Sequence, residues 1–81
     1  MRFEVAVEVR LREGVADPQG STIERALPAL GFDGVAGVRV GKSIRFDIEA
    51  ADADEARQRV DALCERFLAN PVIEDTVVTV G

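Results

Sequence analysis

Phe3, Val5, Val7, Val9 and Leu11 take alternate positions in the first eleven residues, with Glu4, Ala6, Glu8 and Arg10 between them. Successive side chains of a β-strand point to opposite faces, so a period of two marks a strand with one face buried and one face wet. The alternation returns in Ile44, Phe46 and Ile48 against Arg45, Asp47 and Glu49. A parallel sheet is covered on both faces, whereas an antiparallel sheet tolerates a polar one. The two segments therefore point to an antiparallel sheet whose second face carries Glu4, Glu8, Arg45, Asp47 and Glu49.

Between these strands the period changes. Glu13 to Gly20 is rich in turn residues. Asp17 suits a helix N-cap, and Pro18 suits the first helical position, where its missing N–H costs nothing. Ile23, Ala26, Leu27 and Leu30 follow at helical spacing, with Pro28 expected to kink the last turn and Gly31 to end the helix in the left-handed region. Phe32 is expected to fold back on that helix. Val35 to Val40 reads as a short strand weakened by Gly34 and Gly37, and Gly41-Lys42 as a tight hairpin turn into the next strand.

Asp52 and Glu55 have the spacing of a capping box. The helix it opens has an apolar stripe of Ala56, Val60, Leu63, Phe67 and Leu68, and an expected Glu55–Arg59 pair outside it. Asn70-Pro71 stops this helix, because the residue before proline is driven out of the helical region. Val72 to Val80 is a β-branched strand. The order is β-α-β-β-α-β, an α+β class with ferredoxin-like element order: one antiparallel sheet with two helices on one face, in a single domain spanning residues 1–81. Strand order within the sheet does not follow from this pattern.

The residue inventory excludes most chemistry. There is no His and only one Cys, so neither a Ser-His-Asp nor a Cys-His arrangement nor a Cys-rich metal site can form within the chain. Ten basic and fifteen acidic residues give a net charge of −5, which argues against nucleic acid or an anionic membrane as the main partner. The N-terminus lacks the apolar run of a signal peptide, no stretch is long enough to cross a bilayer, and the single Cys suits a reducing cytoplasm.

Ala36 to Ser43 loosely matches a phosphate-binding loop, A-x-x-x-x-G-K-S, but it runs into a strand and not into the helix whose N-terminus would hold the phosphates. Cys64 sits late in its helix among apolar neighbours and reads as a small buried hydrophobe. Glu4, Glu8, Asp47 and Glu49 read as partners of Arg10 and Arg45 or as solvated carboxylates. No catalytic, cofactor-binding or metal-binding residue is assigned. Arg39, Gly41 and Lys42 near one turn, and Asn70, Pro71 and Glu74 at the exit of the second helix, are the candidate subunit-interface residues, since connections on a rigid scaffold concentrate function. A chain of 81 residues buries only about 60% of its unfolded surface, so a dimer or larger even assembly is expected.

Asp17-Pro18-Gln19-Gly20, Leu30-Gly31-Phe32, Val38-Arg39-Val40-Gly41-Lys42 and Leu68-Ala69-Asn70-Pro71-Val72-Ile73-Glu74 occur in that order. Over residues 3 to 80 the ordered set resembles the small (S) subunit of bacterial phosphoribosylformylglycinamidine synthase. The resemblance implies an obligate, non-catalytic subunit of a ligase in purine biosynthesis. That complex converts formylglycinamide ribonucleotide, ATP and glutamine into formylglycinamidine ribonucleotide, ADP, phosphate and glutamate. The implied partners are a glutaminase subunit, a large synthetase subunit that would carry ATP and magnesium, and further copies of this chain. The small subunit would bridge the first two and help ammonia pass between them. The other reading of the residues is a free-standing ferredoxin-like module that binds a small regulatory ligand.

Overall fold

The computed structural model describes residues 1–81. Strand β1 (Arg2–Leu11) lies at the centre of a three-stranded sheet of order β2-β1-β3, flanked by β2 (Gly41–Glu49) and β3 (Glu74–Val80), with both pairings antiparallel. The register places Val5 between Phe46 and Val80 and Val7 between Ile44 and Val78, so the apolar rows of all three strands share one face. Helix α2 (Ala53–Leu63) covers that face. Val5, Val7, Val9, Val60 and Cys64 form the buried cluster, and Ile44, Phe46, Ile48, Leu68, Ala69, Val78 and Val80 pack around it half-buried. The opposite face is polar: Arg2 pairs with Asp47 and Glu49, Arg10 with Glu8, and Arg12 with Asp75. Arg45, expected to neutralise a carboxylate, has no ion pair; it stands opposite Ala6.

The helix signals operate as expected at their starts. Asp17 accepts from the Gly20 N–H at 2.9 Å, with Pro18 opening α1 (Pro18–Ala26). Asp52 accepts from the Glu55 N–H at 2.8 Å; the Glu55 carboxylate returns to the Ala51 N–H at 3.4 Å. Pro28 ends the α-helix by opening a 3₁₀ turn (Pro28–Leu30), and Gly31 stops it at φ 90°. Arg59 bonds the Glu49 carbonyl and does not pair with Glu55; the pair four residues apart is Arg57–Asp61, at 3.2 Å.

The α+β class and the antiparallel sheet match the pattern of the sequence. The last strand begins at Glu74 and not at Val72, because Pro71, Val72 and Ile73 form a turn closed by the Ile73 and Glu74 amides on the Asn70 carbonyl. Three larger details also differ. First, Val35–Val40 is not a strand, and Gly41-Lys42 is not a turn. Gly41 and Lys42 already belong to β2, opposite Arg10 and Val9. Gly34 and Gly37 take φ of 81° and 71°, which interrupts the extended backbone a ladder needs. The Val38 and Val40 amides are instead taken by the carboxylates of Glu24 and Asp17. The segment at the second β position of the expected order is thus irregular and pinned by side chains.

Second, the α2 stripe does not run through Phe67. The backbone leaves the α-helix at Cys64 for a π-turn (Cys64–Leu68), closed by Ala69 N–H to the Cys64 carbonyl at 3.0 Å. One extra residue in a turn rotates the residues after it by about 100°. Leu68 and Ala69 therefore reach the core, while Phe67 is 81% exposed.

Third, α1 does not lie beside α2 on the sheet. Its one buried residue is Gly20. Ile23 (46% exposed), Leu30 (68%) and Phe32 (59%), expected to pack inward, face out. The molecule measures 52 × 25 × 15 Å with a radius of gyration of 16.4 Å. A compact chain of this length has a radius near 12 Å.

Candidate interface site

The candidate residues come from two connections about thirty positions apart, and the sheet register brings them to one end. Gly41 opens β2 against Arg10, where a Cβ would lie 2.7 Å from the Val9 carbonyl oxygen, so glycine permits this close strand approach. The Lys42 ammonium then points across to the helix exit, 3.5 Å from the Leu68 carbonyl. Glu74 begins β3 opposite Leu11. Gly41, Lys42 and Glu74 share a cleft of about 380 Å³ whose apolar wall includes Val9, Leu11 and Ile73. Pro71 lines a neighbouring cleft with Glu74.

Several of these residues serve the monomer as well. Asn70 accepts from the Val72 N–H through its side chain, and its carbonyl accepts from Ile73 and Glu74. The Glu74 carboxylate accepts from the Asn70 N–H at 2.7 Å. That reciprocal turn gives Glu74 a structural partner the sequence did not suggest. Arg39 donates to the Val15 carbonyl at 2.9 Å and the Arg12 carbonyl at 3.3 Å, so it ties its segment to the loop after β1. Lys42, with one long contact, is the most available cation of the set.

The residue that sequence reasoning valued only as a helix cap is Asp17. It is 7% exposed, with one oxygen on Gly20 N–H and the other 2.7 Å from Val40 N–H. Those two amide bonds hold its carboxyl below the ordinary carboxylate value, against the opposing effect of burial, with Arg39 adding a favourable charge. No sequence signal announces the second oxygen's partner, because Val40 is twenty-three positions away.

Cys64 lies in the core, and burial pushes its thiol up, with the Asp61 charge adding to the shift and Arg57 opposing it. That is the reverse of an activated thiolate. No group of three or more His, Cys, Asp or Glu side chains converges anywhere in the molecule. No helix is long and apolar enough to cross a membrane.

The chain is similar to known proteins along nearly its whole length. The family described as "PurS: Phosphoribosylformylglycinamidine (FGAM) synthase" matches residues 4–81. Phosphoribosylformylglycinamidine synthase subunit PurS of Archaeoglobus fulgidus is 47% identical over 68 residues, covering 84% of this chain and 85% of the relative. The Bacillus subtilis subunit is 44% identical over 73 residues, covering 90% and 86%. Among solved structures, PurLQS from Thermotoga maritima superposes with a TM-score of 0.90 at 38% identity, covering 100% of this chain and 99% of that one. B. subtilis PurS gives 0.88 at 42% identity, covering 98% of each. Antiparallel α+β architecture, motif order and these matches agree: the chain belongs to the PurS family, the small subunit of phosphoribosylformylglycinamidine synthase in purine biosynthesis.

Proposed function

We propose that this chain is a non-catalytic bridge between a glutaminase subunit and an ATP-dependent synthetase subunit, and that it helps ammonia pass from one to the other. ATP and magnesium belong, in this reading, to the large subunit. The observation that carries the proposal is the chain's unfinished surface. α1 presents Ile23 to solvent and the 3₁₀ turn after it presents Leu30, and α2 lies nearest β3, leaving the Ile44, Phe46 and Ile48 row of β2 half-buried. Exposed apolar side chains on and just after α1 and an incompletely covered sheet in one molecule favour a second copy, Ile23 and Leu30 of each lying on the β2 row of the other, in a closed two-fold pair.

The chemistry of the assembly fits a subunit without a histidine or an exposed thiol. Ammonia released to neutral water becomes ammonium, which is no nucleophile, so the useful function is exclusion of water and fixed spacing between two active sites. A rigid adaptor with Lys42, Arg39 and Glu74 at one end supplies spacing without touching the reacting atoms. Its expected setting is the cytoplasm.

Reconstitution with purified glutaminase and synthetase tests this. Glutamine-dependent turnover should require the chain, while turnover fed with ammonium salts should need it less. Light scattering should give a dimer or larger even oligomer, and Leu30→Glu should shift it toward the monomer mass of 8.7 kDa. A wild-type monomer that adds nothing to glutamine-dependent turnover would overturn the proposal.

A further inference from the structure

α1 is attached to the sheet by polar contacts more than by packing. Its only buried residue is Gly20, and its apolar residues face solvent. Three side chains join it and the loop before it to the segment leading into β2. Glu24 accepts from Val38 N–H at 3.0 Å, Arg39 donates to the Val15 and Arg12 carbonyls, and Asp17 accepts from Val40 N–H at 2.7 Å. The Arg39 bonds are exposed, and the Glu24 and Asp17 bonds to the 38–40 segment are both partly buried. Exposed polar contacts hold little, because water competes for the same groups.

Asp17 stands apart from these. It alone spends both carboxylate oxygens on backbone amides of two different elements: a buried bond to Gly20 inside α1 and a shorter, partly buried one to Val40, the residue before β2. Charge-assisted bonds to a shielded carboxylate are the strong members of their class. The next two residues along the chain from Val40 are Gly41 and Lys42, in the end cleft that Asp17 also lines.

We propose that Asp17 is a positioning residue: its carboxylate fixes the angle between α1 and the start of β2, so that the exposed face of α1 and the Arg39–Lys42 edge meet their partners in one fixed relation. The inference rests on the bridging function proposed above. Asp17 touches no reacting group and acts through Val40.

A role confined to helix capping makes a different forecast, because Ser and Asn cap helices about as well as Asp. A serine hydroxyl at this position offers a single oxygen on a shorter side chain. An asparagine amide keeps one oxygen and turns an N–H₂ toward a backbone N–H. Asp17→Ser and Asp17→Asn should therefore keep the helix but release Val40. In the free chain, exchange of the Val40 amide should quicken roughly tenfold, with Gly20 and Ser21 changing far less. In the reconstituted complex, the subunit concentration giving half-maximal glutamine-dependent turnover should rise about tenfold, as expected for a partner that must be ordered at binding. Ammonia-fed turnover should change less.

Val40→Pro removes the donor from the other side without touching the cap. It serves if an Asp17 variant fails to fold and is read by the half-maximal concentration, which should again rise about tenfold; an unchanged value would overturn the positioning role. Slow Val40 exchange in both Asp17 variants would overturn the clasp. Fast exchange with an unchanged half-maximal concentration would overturn the positioning role. If the wild-type chain itself adds nothing to glutamine-dependent turnover, the bridging function fails, and the exchange measurement on the free chain still decides the clasp.

Discussion

Gly20 of α1 lies against the Val38 carbonyl, so close that a Cβ on Gly20 would sit 2.2 Å from the oxygen. A backbone atom cannot rotate away as a side chain can. Glycine is therefore required here by proximity to a segment eighteen residues later, although helix propensity alone prefers alanine by up to about 1 kcal/mol.

Gly20→Ala should accordingly destabilise the chain by about 2 kcal/mol net, within the range for overpacked sites. For a domain of this size that corresponds to a melting temperature roughly 10 °C lower. Calorimetry or thermal circular dichroism checks it. A melting temperature equal to or above wild type would mean that the 38–40 segment moves freely away from α1.

Asp17 predicts a defined pH dependence. Its folded value lies below the ordinary 3.8, held down by the Gly20 and Val40 amides. A group depressed on folding stabilises the fold above its unfolded value, and that contribution disappears as pH falls through the folded value. The stability difference between wild type and Asp17→Asn should therefore be constant from neutral pH to above 3.8 and shrink only below it. Denaturant titrations at a series of acidic pH values measure this; a difference that vanishes near pH 6 would assign the effect to another group.

Cys64 predicts the opposite sign. Burial raises its thiol above the ordinary 9.0, with Asp61 reinforcing the shift. The neutral thiol is favoured in the fold, so its contribution is complete below the unfolded value and is lost as pH rises through the folded one. A disulfide reagent should label the native protein far more slowly than the denatured chain at pH 8. Cys64→Ala should cost about 1 kcal/mol as a small core truncation and leave the complex active. Loss of turnover in a folded variant would require thiol chemistry.

Reversal of Lys42 and of Arg39 should have different consequences. Lys42→Glu removes one long contact, so the variant should fold normally; placing like charges at an interface costs several kcal/mol, so assembly and glutamine-dependent turnover should fall together. Arg39→Glu also loses the bonds to Val15 and Arg12, so it should weaken the monomer as well as the complex. Sedimentation of the mixed subunits and a thermal melt of each variant separate the two effects. Unchanged assembly with Lys42→Glu would mark that residue as ordinary solvated surface.

The strands β1, β2 and β3, the caps Asp17 and Asp52, the Gly31 stop and the Asn70-Pro71 stop were all written in local pattern. A period of two, a carboxylate before an amide and a proline after a helix act over a few residues, so the sequence alone determines them. Family membership was legible for a related reason, since it lies in motif order along the chain. The fate of Val35–Val40, the exposure of Phe67 and the outward face of α1 were decided by tertiary structure. Each depends on a partner remote in sequence or on a shift in helical phase: Val40 N–H goes to Asp17, Val38 N–H goes to Glu24, and the π-turn at Cys64 rotates Phe67 out of its stripe. Apolar periodicity records that a residue will be covered, but not by which molecule. Ile23 and Leu30 keep the spacing of a buried face yet stand exposed, because periodicity fixes which side of a helix is apolar and leaves open whether the chain's own sheet comes to cover it.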